Sequence, residues 1–429
     1  MAKKFYTFID LFAGAGGLSE GFIRAGFTPI AHVEMDKFAC DTLKTRAVYH
    51  YLLENKKLDI YKKYLIEKKD GEKGESLWKQ VPAYVTRSVI HETIASSTIN
   101  SIFQKIDSLK GKKVVDLIIG GPPCQAYSIA GRSRMGKSVE KDPRNELYKY
   151  YVQFLERYHP KMFVFENVIG LITAKRGEPL KDLRQMVSRI GYDLQIQVQN
   201  ASEHGVLQKR QRLIIVGWQK NDTYSRGKKH FYPILKKEDN VYAVMKDLFS
   251  DLPQRKAGEG SMTEIVPYSK SLRVMKYLKD SGIRNDYFNF TTQHVARPQN
   301  VNDRRIYCLA IKQWKEKKKQ LDYSRIPTQL QTHNNTKSFL DRYSVVNPDG
   351  CSHTVVAHIS KDGHYYIYPT LNPTIGNVRS ITVREAARLQ SFPDDYYFEG
   401  SRGAAFKQIG NAVPVVLAYK IAKEIKEQL

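Results

Sequence analysis

Cys124 stands behind two prolines in GGPPCQAYS, residues 120–128, and is one of only four cysteines in 429 residues. Proline fixes φ, which suits a side chain that must be presented rather than left mobile. A thiol of pKa about 8.5 is only slightly ionised at neutral pH, so nucleophilic work at Cys124 needs electrostatic help. A buried structural thiol is the commoner fate of a free cysteine. Against it stands the apolar run VVDLIIGG just upstream, which puts Cys124 in a loop that follows a strand. Two other strand ends offer partners. FVFENV closes with Glu166 and Asn167, and LQKRQRLIIVG carries Arg210 and Arg212 on one face just ahead of another strand, because strand side chains repeat every two residues. Taken singly, the acid reads as structural and the arginines as phosphate or surface groups. Taken together, a nucleophile, an acid and a cation converge on one edge.

A second cluster lies near the start of the chain. DLFAGAGGLSEGF, residues 10–22, closes a strand, turns through Gly14, Gly16 and Gly17, and opens a helix. Such a loop lets a ligand approach the backbone at the carboxyl edge of a parallel sheet. The pattern is not G-x-G-x-x-G, so a pyrophosphate is not indicated. Glu34 ends the second strand, where an acid can accept hydrogen bonds from ribose hydroxyls. Together these suit a nucleoside cofactor with a small polar tail, such as S-adenosylmethionine. A tight turn without a ligand and an ordinary surface carboxylate explain the two features equally well when each is taken alone.

These residues need a scaffold of alternating strands and helices. FYTFIDLF, FTPIAHVEM, VVDLIIGG, KMFVFENV and RLIIVGW read as strands, and GGLSEGFIRAG, DKFACDTLKTRAV and NELYKYYVQFLERY as helices. That rhythm predicts a doubly wound, mostly parallel α/β sheet of Rossmann-like type. The lysine-rich stretch between residues 50 and 80 interrupts it and reads as an insertion, a solvated helix and loop. After Trp218 the chain turns basic and irregular, and HTVVAHISKDGHYYIYP near residue 360 reads as two strands joined by an Asp-Gly turn. SITVREAARLQSF and AVPVVLAYKIAKEIKEQL read as helices again. The expected division is a first catalytic part over residues 1–218, an inserted unit over 219–375, and a return to the catalytic part over 376–429.

Charge points to the partner. The 69 Lys and Arg residues against 44 Asp and Glu leave +25, a balance that usually meets a polyanion, nucleic acid first. A basic surface kept for solubility is the alternative. Cys40, Cys124, Cys308 and Cys351 lack paired zinc-site spacing, so no metal is expected. The N-terminus lacks signal-peptide design and no run of about 18 apolar residues occurs, which predicts a cytoplasmic protein without membrane contact.

The motifs FAGAGG, GGPPCQAYS, DPRNELY, FENV, QKRQR, RSITVREAARLQSFPDDY and QIGNAVP follow one another over residues 5–218 and roughly 345–429. In these the sequence resembles the DNA (cytosine-5)-methyltransferase family of bacterial restriction–modification type. The resemblance implies transfer of a methyl group from S-adenosylmethionine to carbon 5 of cytosine in a specific duplex sequence. It implies that Cys124 adds to carbon 6, Glu166 hydrogen-bonds or protonates N3, Arg212 holds O2, Arg210 supports it or a nearby phosphate, and Asn167 helps fix the pocket. For the cofactor it implies Phe12, Ala13, Gly14, Gly16, Gly17 and Leu18 at the methionine part, Glu34 and Met35 at the ribose, and Pro122, Leu147, Asn411 and Val413 around the pocket. The family usually has an acidic residue at the adenine, after the third strand; here the insertion precedes that place, and Glu92 in VIHETI is the nearest candidate.

On the nucleic-acid side, a base inside a duplex must be extruded to be reached. Gln125 and Ser128 beside the nucleophile, and Arg132, Arg134 and Lys137 next to Gly131 and Gly136, are expected to meet DNA in a loop that closes over it. A basic surface loop is the other reading. The resemblance makes residues 219–375 a target-recognition domain, with Arg297, Arg304, Arg305, Thr354 and Val355 as candidate DNA contacts; a solvated charged helix explains the Lys315–Lys319 run as well. The expected partners are double-stranded DNA and a cognate endonuclease, with the protein itself a monomer. Two alternatives were weighed: a cytosine-5 methyltransferase acting on tRNA, and a nucleic-acid-binding protein without catalysis. Duplex DNA is favoured by the basic insertion, and catalysis by Cys124, Glu166 and Arg212. Amino-group methyltransferases, which place an aromatic residue after Pro-Pro, are disfavoured.

Overall fold

Apolar runs bounded by glycine loops form the centre of the computed structural model, which describes residues 5–123, 146–220, 232–239, 241–333, 335 and 337–429. Seven strands make one sheet: β1 (Tyr6–Leu11), β2 (Phe27–Glu34), β3 (Val89–His91), β4 (Leu117–Gly120), β5 (Met162–Asn167), β6 (Tyr192–Asn200) and β7 (Gln211–Gln219). Their order is β3-β2-β1-β4-β5-β7-β6, and the five strands from β3 to β5 are parallel. The chain leaves β1 toward β2 and β3, then returns to β4 on the other flank. That reversal is the switch point at which open α/β sheets bind ligands. β7 runs antiparallel to β5, with Asn167 opposite Leu213. Its first residues therefore reach the edge where the parallel strands end.

Period-two alternation gives the sheet two covered faces. Ile9, Leu11, Ile118, Phe163 and Phe165 face the helices Ile99–Lys110, Leu147–Tyr158 and Glu178–Arg189. Phe8, Leu117, Ile119 and Val164 face the other way, toward the helices Gly17–Arg24 and Val415–Lys426. These two helices pack so closely that a Cβ on Gly21 would lie 2.4 Å from the Ala418 side chain. The second layer is thus built partly from residues far along the chain.

Three readings of the sequence change. The lysine-rich insertion is solvated on one side only: Lys56, Lys57, Lys63, Lys69 and Lys73 are exposed, above a buried stripe. Tyr61, Tyr64, Leu65 and Leu77 bury themselves with Phe288, Phe290 and Tyr397, and Lys68 is buried 3.3 Å from Glu399. The spacing of Tyr61, Tyr64 and Leu65 on the helix Leu58–Glu67 puts all three on one face, beneath the lysines that dominate the composition. Residues 353–369 form no hairpin: Ala357–Ser360 and His364–Tyr366 are 3₁₀ turns. The Tyr366 hydroxyl accepts from Val356 N–H at 2.9 Å and donates to the Thr354 carbonyl at 3.0 Å, doing with a side chain what a strand ladder would have done. β6 was not foreseen either, because its LQIQVQN pattern at the sheet edge is mostly polar.

Beyond the sheet there are two further cores. One joins Val244, Leu248, Phe249, Leu278 and Ile283 to Ile381, Leu389, Phe392 and Phe406. The other gathers Ile306, Tyr307, Tyr323, Tyr343, Val345, Ile367 and Val378 around the helix Val301–Lys317.

Candidate functional site

The glycine loop takes its shape from backbone conformations that few side chains accept. Phe12, Gly14 and Gly16 have φ of 56°, 55° and 84°. A Cβ on Gly16 would lie 2.8 Å from Leu43 Cδ2 and 2.9 Å from the Tyr396 hydroxyl, and one on Gly17 would lie 2.5 Å from the Val413 carbonyl oxygen. The Tyr396 hydroxyl also donates to the Ala15 carbonyl at 2.5 Å. The loop is therefore clamped from behind by residues of the 390–413 stretch, while nothing among the described residues lies within 4 Å of where a Gly14 Cβ would be. Ala13 and Leu18 are buried, Ala13 against Cys40 and Leu43, Leu18 in the sheet's second core.

Glu34 closes this side. Its carboxylate accepts from Gly14 N–H at 2.8 Å with one oxygen, and from Met35 and Asp36 N–H at 2.9 and 2.8 Å with the other. Burial pushes its pKa up, and the three backbone donors oppose that shift. Oε1 is filled by two donors, and Oε2 keeps one free lone-pair direction for a ribose hydroxyl. Met35, 60% exposed, offers a polarizable surface beside it. Glu92 lies next in register, its N–H donating to the Glu34 carbonyl at 3.0 Å, but its carboxylate is turned to Lys105 at 2.5 Å. Leu147 opens its helix half-buried, and Asn411 is exposed at the end of the helix Arg402–Asn411.

The ends of β4, β5 and β7 supply the second cluster. Arg212 Nε donates to Glu166 Oε1 at 2.9 Å, and both side chains are 13% exposed. Burial lowers the pKa of Arg212, and Glu166 counteracts it. Gly121 makes room for this acid, since a Cβ there would lie 2.7 Å from Glu166 Oε2. Asn167 Nδ2 donates to the Pro122 carbonyl at 3.1 Å and so ties the end of β5 to the PPC loop. An acceptor and a donor thus stand side by side, poised for a ring edge that presents a nitrogen next to a carbonyl. Cys124, Gln125, Ser128, Arg132, Arg134 and the rest of the proposed closing loop lie outside the described residues. Gly121 was not singled out from the sequence, although a doubled glycine before Pro-Pro was the signal for it.

Arg210 lies just ahead of β7, which begins at Gln211; burial lowers its pKa, the nearby Arg212 charge lowers it further and Glu166 opposes both. Arg210 is 1% exposed and donates to the carbonyls of Val355 at 2.5 Å and Gly410 at 3.2 Å, out of reach of any phosphate. Gln208, also missed, is fully buried and bonds Leu389, Gln390 and Val355.

Four of the five candidate DNA contacts in the described region are buried or bonded to backbone carbonyls. Val355 is buried, and Thr354 Oγ1 donates to the Lys209 carbonyl at 2.6 Å. Arg297 donates to the Ile359 and Lys361 carbonyls at 2.8 and 3.2 Å, and Arg304 to that of Ile375 at 3.1 Å. Only Arg305 is exposed. Among the described residues, no group of three or more His, Cys, Asp or Glu could hold a metal ion, and no helix is long and apolar enough to cross a membrane.

A sequence model of the family described as C-5 cytosine-specific DNA methylase matches residues 6–70 and 86–427. The gap, residues 71–85, begins in the second half of the insertion and runs just past it. The Type II methyltransferase M.Bpa9945I of Bacillus paralicheniformis is 40% identical, with 98% of each chain covered. The Type II methyltransferase M1.HphI of Haemophilus parahaemolyticus is 29% identical over 98% of this chain and 86% of its own. Among solved structures, a putative DNA modification methyltransferase encoded within an Escherichia coli prophage superposes with a TM-score of 0.59 at 22% identity, covering 99% of both chains. That likeness bears on the fold, which is the Rossmann-like sheet expected of methyltransferases.

Proposed function

The chain belongs to the C-5 cytosine-specific DNA methylase family, and on that premise we propose that it methylates carbon 5 of a cytosine extruded from a specific duplex sequence, through a covalent bond between Cys124 and carbon 6. It acts as the modification enzyme of a restriction–modification system, the setting of the Type II relatives it matches. The observation that carries this reading is the Glu166–Arg212 pair, at 2.9 Å, on the same sheet edge as the Glu34 carboxylate and the glycine loop.

Carbon 5 of cytosine is too weak a nucleophile to take a methyl group unaided. Addition of the Cys124 thiolate to carbon 6 places electron density at carbon 5. Glu166 meets N3 and Arg212 meets O2, so that negative charge does not accumulate in the ring. Asn167 fixes the approach of the PPC loop through Pro122. The thiolate leaves again once a base has removed the proton from carbon 5.

S-adenosylmethionine fits the other cluster. Glu34 takes a ribose hydroxyl, Met35 lies along the nucleoside, and the open space before Gly14 admits the methionine part, with Phe12, Ala13, Gly16, Gly17, Leu18 and Val413 shaping the wall. When bound, the cofactor supplies an electrophilic methyl group on a sulfonium. Glu92 would reach an adenine amino group only by releasing Lys105. Residues 219–375 are proposed as the target-recognition region, with Arg305 at the DNA. Extrusion of the base costs a few kcal/mol, which contacts from this region offset.

The test is to express wild type and Cys124→Ala in cells without cytosine methylation and to bisulfite-sequence their DNA. Protected cytosines in one short context with wild type alone are expected. Equal protection by Cys124→Ala would refute the covalent mechanism. Soluble wild type without protection would turn attention to tRNA.

A further inference from the structure

Residues 208–210 form a joint at which distant stretches of chain meet. Gln208 Nε2 donates to the Leu389 carbonyl at 2.8 Å and to Gln390 Oε1 at 3.0 Å, while its Oε1 accepts from Val355 N–H at 2.7 Å. Lys209 N–H donates to the Ser352 carbonyl at 2.8 Å. Arg210 spreads its two terminal nitrogens between the carbonyls of Val355 and Gly410. Gln390 extends the set by donating to the Ile409 carbonyl at 2.7 Å and that of Ala412 at 3.2 Å. Gly410 is pressed to the same place, since a Cβ on it would lie 2.4 Å from Ala357 N.

This joint adjoins three parts of the proposed site. On one side, the backbone from Gly410 continues to Val413, whose carbonyl rests on Gly17 of the glycine loop. On another, Val355 belongs to the region proposed for target recognition. Two residues along the chain, Arg212 holds Glu166.

Arg210 is an expensive way to fill that space. It is fully buried, and among the described residues no carboxylate bonds it and its Nε has no hydrogen-bond partner. An apolar side chain would pack there without the penalty of burying a charge. A planar fork has a property that an apolar chain lacks: displacing one of the two carbonyls it holds turns the whole group and pulls on the other.

We infer that Arg210, supported by Gln208, is a positioning residue that couples the cofactor wall at Gly410–Val413 to the Val355 stretch and the Glu166–Arg212 pair, so that cofactor and DNA each raise the affinity for the other. The inference rests on the methyltransferase reading above. Coupling of this kind is reciprocal and typically amounts to about 5–150-fold in affinity.

The experiment uses the full chain, S-adenosylhomocysteine as the cofactor probe, and a short duplex carrying the context that bisulfite sequencing identifies. The dissociation constant for the probe is measured by calorimetry with and without saturating duplex. For wild type the duplex is expected to tighten probe binding about tenfold, within the usual range for coupled sites. In Arg210→Met the probe alone should bind nearly as in wild type, with the duplex effect reduced to less than about twofold. Arg210→Lys, able to hold one carbonyl, should recover part of it. Full coupling in a folded Arg210→Met, or no coupling in wild type, overturns the inference alone. Failure of wild type to bind the probe, or the absence of any methylated context, overturns the functional reading and this inference with it. If Arg210→Met fails to fold, Gln208→Met is expected to show the same loss of coupling. If both unfold, the joint is a scaffold and the inference falls.

Discussion

At the carboxyl edge of the sheet, backbone holds side chains. Three N–H groups fix the Glu34 carboxylate, and a missing side chain at Gly121 admits Glu166. Between Val301 and Val378 the relation reverses, and side chains hold backbone. Arg304 grips the Ile375 carbonyl, Lys315 that of Leu371, Gln320 Nε2 that of Val345 at 2.9 Å, and Tyr366 that of Thr354. The edge inherits its rigidity from strand ladders, so its reactive groups keep their places whatever the loops do. The second region owes its shape to individual polar contacts over a small tyrosine-rich core. It can therefore be remodelled without disturbing the sheet, as the proposed target-recognition role requires.

The sharpest way to break this contrast is at the edge. Glu166→Gln should lower single-turnover methylation by about 10²–10⁴-fold, the usual worth of a positioned acid, with S-adenosylhomocysteine affinity unchanged. A loss below tenfold would mean that Glu166 does not act on the base. Next comes the insertion, whose buried stripe behaves as core beneath its exposed lysines. Tyr61→Ala removes a fully buried ring and should cost about 3–5 kcal/mol in urea unfolding; a change below about 1 kcal/mol would restore the solvated reading.

A smaller effect follows from His294, buried between Thr382 and the Pro253 carbonyl, where burial brings its pKa down to about 4. The unfolded chain, with its histidine near pKa 6.5, binds the proton first. Stability from this group is therefore complete above pH 6.5 and declines as pH falls toward 4. By pH 5 about 2 kcal/mol should be gone. Denaturant unfolding at pH 7 and 5, with His294→Gln as the comparison, checks the difference; equal slopes in both proteins would exclude His294 as the cause. The smallest effect separates neighbours on one helix. Arg305→Ala should weaken DNA binding and reduce its salt slope by about 1, while Arg304→Ala, already committed to the Ile375 carbonyl, should leave the slope alone. Identical slopes for the two variants would remove Arg305 from the interface.

What could be read in advance followed the same boundary. β1, β2, β4, β5 and β7 were evident because buried strands must be continuous apolar runs, and their ends had to carry the polar motifs. Glu34, Glu166 and Arg212 were placed by that logic. Arg210 was not, because its position is decided by carbonyls 145 and 200 residues away. The insertion misled for a related reason: lysine composition hid a helical stripe whose partners, Phe288 and Tyr397, lie far along the chain. The turn around Tyr366 was misread because a tyrosine-rich stretch favours strand by propensity, yet one hydroxyl closing on Thr354 and Val356 was enough to prevent it.

The helix Val415–Lys426, pressed onto Gly21, carries a consequence for how the protein is made. The seventh strand is complete at Gln219, but the sheet's second face, with Phe8, Ile119 and Val164, has only the helix Gly17–Arg24 to cover part of it until Val415–Lys426 arrives. During synthesis the ribosome therefore exposes a nearly finished sheet with one greasy side, for as long as it takes to translate everything between. Such a nascent chain invites chaperones, and a message cut short before Val415 yields a protein that clumps instead of one that modifies DNA at random.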